Sequence, residues 1–113
     1  MVAPPEPLAL RKTLIGGETA PDDWQVIWDG LPIGRILKQP GVPAGRPNWS
    51  WGVAFPHLPQ QAWQRGLCSD LEECKRRFRV AWMAVHAQLT DADVEKARQD
   101  ERGAKDRPWN RHR

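Results

Sequence analysis

Two runs of alternating apolar residues meet at Asp29-Gly30, and this feature constrains the fold more than any other in the chain. In WQVIWDGLPIGRILK, a two-residue Asp-Gly link suits a type I′ turn, whose central residues both take positive φ. Residues 24–38 therefore read as a β-hairpin. The turn places Trp28 opposite Leu31, Val26 opposite Ile33 and Trp24 opposite Arg35. With Leu37 these make the more apolar face, which is expected to meet the core. Gln25, Ile27, Pro32, Gly34, Ile36 and Lys38 make the other face. Pro32 is tolerated because its missing N–H points away from the first strand.

The next strand is equally plain. In WSWGVAF, Trp49, Trp51, Val53 and Phe55 share one face, and Ser50, Gly52 and Ala54 the other. The intervening QPGVPAGRPN, with three prolines and two glycines, is a loop. QAWQRGL, residues 61–67, gives a shorter fourth strand with Trp63 and Leu67 on one side. A helix follows. Ser69 caps it, Glu72 completes a capping box, and Asp70, Glu72 and Glu73 put negative charge at the positive end of its dipole. Leu71, Cys74, Phe78, Ala81, Trp82, Val85 and Leu89 recur at steps of three and four, one stripe to lie on the sheet. Lys75, Arg79 and His86 flank that stripe, and Arg76 points nearly opposite. Thr90 and Asp93 start a short acidic helix over residues 91–101.

The expected fold class is α+β: a three- to four-stranded antiparallel meander packed on one amphipathic helix, with a short second helix. Residues 1–22, with four prolines and Gly16-Gly17, read as a flexible lead-in, residues 23–101 as the domain and residues 102–113 as a basic flexible tail. So small a core depends on large aromatics, and most of the 7 Trp are expected inside it.

The net charge of +3 is segmental. The tail carries five basic residues against one acid, residues 24–88 are net +4, and residues 89–101 are net −3. No run reaches the ~20 apolar residues of a membrane span, and MVAPPEPLALRK has no secretory pattern. Cys68 and Cys74 stand six apart, which is not a zinc spacing, and reduced thiols in the cytoplasm are expected rather than a disulfide. Cys68 reads as a small residue closing the strand-to-helix turn and Cys74 as core.

Catalytic chemistry finds no support. No carboxylate is placed by sequence to orient His57, His86 or His112, and no nucleophile elbow or phosphate loop is present. His57, Cys68, Cys74 and His86 share no ligand spacing, so no metal or cofactor is expected. The chain reads as a non-enzymatic binding module. Nucleic-acid contact, to DNA or RNA, would use Arg35, Lys38, Arg46 and Arg65 from the strands and loops with Arg76, Arg77 and Arg79 from the helix. The face away from the helix should carry Gln25, Lys38, Asn48, Ser50, Gly52 and Gln64, polar rather than strongly basic. The alternative is protein contact or a homodimer through that face, where Ser50, Gly52 and Ala54 allow close approach, or through an edge strand.

The strand–turn–helix GLCSDLEECKRRFRVAW resembles that of plant ethylene-response-type DNA-binding domains and phage-integrase arm-binding domains. That resemblance implies three strands backed by a helix, with DNA read by Arg and Trp on the strands, here Arg35, Trp49, Trp51 and Arg65. VAFPHLPQQAWQRGLCSDLEEC is similar to a segment of HicB-type antitoxins, which implies a toxin partner and DNA. The whole chain resembles small uncharacterised bacterial proteins with a Trp-Asp-Gly hairpin and a Trp-x-Trp strand, which implies a fold and no activity.

Overall fold

The computed structural model describes residues 2–106, and its strands follow one another across the sheet in chain order. They are β1 (Leu8–Ile15), β2 (Glu18–Trp28), β3 (Leu31–Lys38), β4 (Trp49–Val53) and β5 (Arg65–Cys68), all paired antiparallel. Two helices follow, α1 (Leu71–His86) and α2 (Asp91–Asp106). The α+β class agrees with the sequence pattern, but the sheet has five strands rather than three or four. The addition is the β1–β2 hairpin, which occupies most of the expected lead-in. Gly16 and Gly17, at φ 60° and 87°, turn this hairpin as Asp29 and Gly30, at 47° and 78°, turn the next. Pro21 lies where the β1–β2 register is irregular and before the β2–β3 ladder begins at Asp23, so its missing N–H breaks no regular pair.

A bulge in β3 overturns half of the expected register. Trp28 pairs with Leu31 as predicted, but Val26 then pairs with Gly34, and Trp24 with Ile36. Ile33 is the extra residue, and a one-residue shift exchanges the faces of everything after it. Ile36 is therefore buried and Arg35 is not. The rest of the helix side comes from Val26 and Trp28 of β2, Leu31 and Ile33 of β3, and Trp51 and Val53 of β4, all buried.

α1 lies on that face, chiefly over β4, β5 and β3. Its stripe is as the spacing predicts: Cys74, Phe78, Ala81, Trp82 and Val85 are buried. Its cap is Asp70 rather than Ser69. The Asp70 carboxylate accepts from the Glu73 N–H at 2.8 Å, while Glu73 accepts from the Ser69 N–H at 3.0 Å. Residues 61–64 are not strand. Ala62–Gln64 form a 3-10 turn, and Gln64 is buried with its amide donating to the Val53 carbonyl at 3.0 Å. Trp63 is left about half exposed. Thr90 and Asp93 exchange the expected pair of capping bonds, at 2.9 and 3.1 Å. α2 then runs five residues beyond the predicted end, into the segment expected as tail, and the remainder of that tail, with Trp109, lies outside the described residues.

Two ties, one local and one long-range, go beyond the sequence pattern. Cys68 and Cys74 form a disulfide, with Cα atoms 5.7 Å apart, joining the end of β5 to the first turn of α1. This corrects the expectation of reduced thiols: the strand-to-helix turn brings both buried sulfurs together. The second tie holds residues 3–6. Trp28 Nε1 donates to the Pro4 carbonyl at 2.7 Å and Trp82 Nε1 to the Pro5 carbonyl at 2.8 Å. His86 Nε2 donates to the Ala3 carbonyl at 2.6 Å, which places the ring hydrogen on Nε2. Glu6 pairs with Arg79. The indoles of Trp28 and Trp82 meet at 5.2 Å with their planes tilted by 56°, and are 1% and 0% exposed. Prolines without an internal period read as linker, yet here two of them are held by indole N–H groups.

Candidate nucleic-acid interface

Residues directly opposite on antiparallel strands share a face. One such row crosses the whole sheet on the side away from α1: Arg11 pairs with Gln25, Gln25 with Arg35, Arg35 with Gly52 and Gly52 with Arg65. Strands stand about 4.8 Å apart, so Arg35 and Arg65 are roughly 10 Å apart and Arg11 and Arg65 roughly 19 Å. The adjacent row is Asp23, Leu37, Ser50 and Leu67. Between Arg35 and Arg65 the sheet is shallow because Ser50 and Gly52 are small. A trough of about 580 Å³ lies there, walled by Arg35, Leu37, Arg65 and Leu67.

The three guanidinium groups are not equivalent. Arg35 makes a two-point contact with Asp23: its Nε donates to Oδ1 at 2.6 Å and its Nη2 donates to Oδ2. Thr13 Oγ1 donates to Asp23 Oδ1 at 2.9 Å. Asp23 is buried although charged, so it depends on these donors. The bond from Arg35 holds the Asp23 carboxyl below the ordinary aspartate range; burial opposes this and the Thr13 bond adds to it. The same pair raises the Arg35 pKa. Because the folded-state pKa is depressed, the stability this pair gives is fully present above about pH 4. It should be lost as the pH falls through the still lower folded value. We expect Asp23→Asn to lower the urea midpoint at pH 7 and to flatten its dependence on pH below 4, measured by denaturation from pH 2 to 7. Arg11 is freer, with one bond to the Gln25 side chain at 3.0 Å, and Arg65 is exposed at the sheet edge.

The structure therefore unites only two of the sequence candidates, Arg35 and Arg65. Lys38 lies on the helix-side parity of β3, paired with Trp49, and Arg46 is exposed in the loop before β4. Arg76 and Arg77 border a separate apolar groove with Trp51, Trp63 and Val80. Arg79 is paired with Glu6 on the opposite flank of α1. Nor does the open face have the expected composition: Arg35 joins it, Lys38 leaves it, and Gln64 is buried. Trp49 and Trp51 share the helix side, and Trp51 is buried, which removes both from the strand-face readers that the ethylene-response resemblance implied. Arg11 escapes the sequence reading because its strand does. The alternation of LALRKTLI before Gly16-Gly17 carries the signal.

Other chemistry is sparse. Among the described residues no group of three or more His, Cys, Asp or Glu side chains is placed to hold a metal ion. The cysteines are joined to each other, and His57 pairs with Asp100 at 2.9 Å. No helix among the described residues is long and apolar enough to cross a membrane. In comparison with known proteins, the chain matches no family model, no curated protein and no solved structure.

Proposed function

We propose that the chain is a non-enzymatic module that binds nucleic acid, DNA or RNA, across the open face of its sheet. The observation that carries this reading is the row Arg11–Gln25–Arg35–Gly52–Arg65. The strands that carry its outer arginines stand roughly 19 Å apart, enough for their side chains to reach the phosphates on either side of a major groove about 12 Å wide. Ser50 keeps that part of the face shallow, the Gln60 amide lies over Gly52 and donates to the Val53 carbonyl at 3.0 Å, and Gln25 and Gln60 offer their remaining amide groups to base edges. Arg35, locked to Asp23, serves as a fixed donor rather than a mobile phosphate clamp.

Arg11 and Arg65 are the residues to test, since replacing Arg35 would strand a buried carboxylate. Each phosphate contact contributes about 0.9 to the slope of log K against log salt on duplex DNA, and about 0.7 on single strands. We expect Arg11→Ala and Arg65→Ala each to reduce the slope by about one such increment in a mobility-shift series, with thermal stability unchanged. An unaltered slope in both variants would defeat the proposal.

A second reading rests on β5. It is one of the two edge strands, Leu67 is 61% exposed on it, and Trp63 is 48% exposed just before it. An edge with exposed apolar side chains suits strand addition by a protein partner or a second copy. Absence of any shift at low salt, together with a dimer in sedimentation, would favour it.

A further inference from the structure

The grip on residues 3–6 has the chemistry of a ligand site. Three ring N–H donors, from His86, Trp28 and Trp82, meet three successive backbone carbonyls, those of Ala3, Pro4 and Pro5. Pro4 and Pro5 have no N–H, so these residues require no acceptor from the cradle. Two consecutive prolines also have few backbone conformations to lose, which reduces the entropy lost on docking. The rings that donate also pack together: Trp28, Trp82 and His86 lie 5.2–5.6 Å from one another. One charge adds direction, because Arg79 pairs with Glu6 directly after the prolines. Past that point a hollow of about 590 Å³, half polar, opens between Leu8, Leu10 and Phe78 on one side and Glu6, Lys75 and Arg79 on the other, with space for residues flanking an incoming segment. What the cradle holds directly is three backbone carbonyls and one carboxylate, with Val2 and Ala3 packed on the core beside them. A segment with small apolar residues, then two prolines and an acid, presents the same set.

We propose that the Trp28–Trp82–His86 cradle, with Arg79, is a recognition site for a Pro-Pro-acid segment of a partner protein. Residues 3–6 are its exchangeable occupant in cis. The site is on the helix side of the sheet and is independent of the nucleic-acid reading.

The test uses the full chain with the occupant loosened by Pro4→Gly, Pro5→Gly and Glu6→Ala, and a synthetic Val-Ala-Pro-Pro-Glu-Pro-Leu peptide as probe. The indole N–H resonances of Trp28 and Trp82 report the cradle. A tethered occupant acts at millimolar effective concentration, so the parent protein should resist the peptide until millimolar levels. In the loosened chain both resonances should leave their parent positions. They should return as peptide is added, at a half-saturation at least tenfold below the parent's. A control peptide with glycine for each proline should not restore them. Resonances that never move, that move and do not return at millimolar peptide, or that the glycine peptide restores equally well would each overturn the proposal. Should the loosened chain unfold, refolding by the peptide, read by circular dichroism, supports the proposal and failure to refold overturns it.

Discussion

A Gly34→Ala chain is expected to lose about 3 kcal/mol of stability, at the upper end for overpacking a tight site. In a domain of this size that would lower Tm by more than about 10 °C. Gly34 lies on the helix side of β3 where the bulge brings it under α1. A Cβ there would stand 2.6 Å from Phe78 Cε2 and 2.8 Å from Phe78 Cζ, and closer still to the Gly52 carbonyl oxygen. The ring is buried and cannot swing aside, and the oxygen belongs to the neighbouring strand. Relief would require β3 to part from β4 or α1 to lift from the sheet. Gly103, in α2, is the opposite case: a Cβ added there would meet nothing within 4 Å. Gly103→Ala should therefore gain up to about 1 kcal/mol from helix propensity. Urea denaturation of the two variants beside the parent gives opposite signs for one chemical change. A Gly34→Ala chain within about 1 kcal/mol of the parent, well below the overpacking range, would mean that Phe78 does not press on this strand.

Trp82→Ala is expected to be the most damaging single truncation, by about 3–5 kcal/mol, the usual range for a buried large aromatic. Trp82 is fully buried, 5.2 Å from Trp28, 5.6 Å from His86 and 6.3 Å from Phe55 by ring centroids. Removing it opens a cavity between α1 and the sheet and also withdraws the donor from the Pro5 carbonyl. Domains of this size have about 5–15 kcal/mol in total, so the loss takes a large share. Trp82→Phe separates the two effects. It keeps most of the ring volume but leaves the carbonyl unpaired, at about 1–3 kcal/mol. The Trp28 indole N–H, which is bonded to the Pro4 carbonyl, should then exchange faster while the β3–β4 ladder stays protected. Equal losses for the two variants in urea would indicate that the hydrogen bond, not the packing, dominates.

Much of the architecture is legible in the sequence, for physical reasons that can be named. The α1 stripe is readable because a period of 3.6 over seven apolar residues has no strand counterpart. The Asp29-Gly30 hairpin is readable because few other dipeptides accept positive φ twice. The bulge at Ile33 is not. It follows from the fit of Gly34 beneath Phe78, a contact 44 positions distant that no local pattern encodes. That single shift sends Arg35 to the open face and Ile36 inward, which is why the arginine row stays hidden in the sequence although Arg35 and Arg65 both stand out in it. β1 is obscured by its proline-rich approach, since prolines that dock on tryptophans and prolines in a linker look alike in sequence. The disulfide is obscured too, because spacing alone does not reveal that a strand and a helix turn back on each other at Ser69 and Asp70.

The bonds from Trp82 to Pro5 and from His86 to Ala3 join positions 77 and 83 residues apart. The meander itself can grow strand by strand as the chain emerges from the ribosome, each hairpin closing on the one before. Residues 3–5 cannot settle until α1 has been synthesised and has packed. Throughout that interval the Trp28 indole lacks its cover, so the nascent chain carries an adhesive apolar spot that a chaperone could hold and that the helix finally conceals.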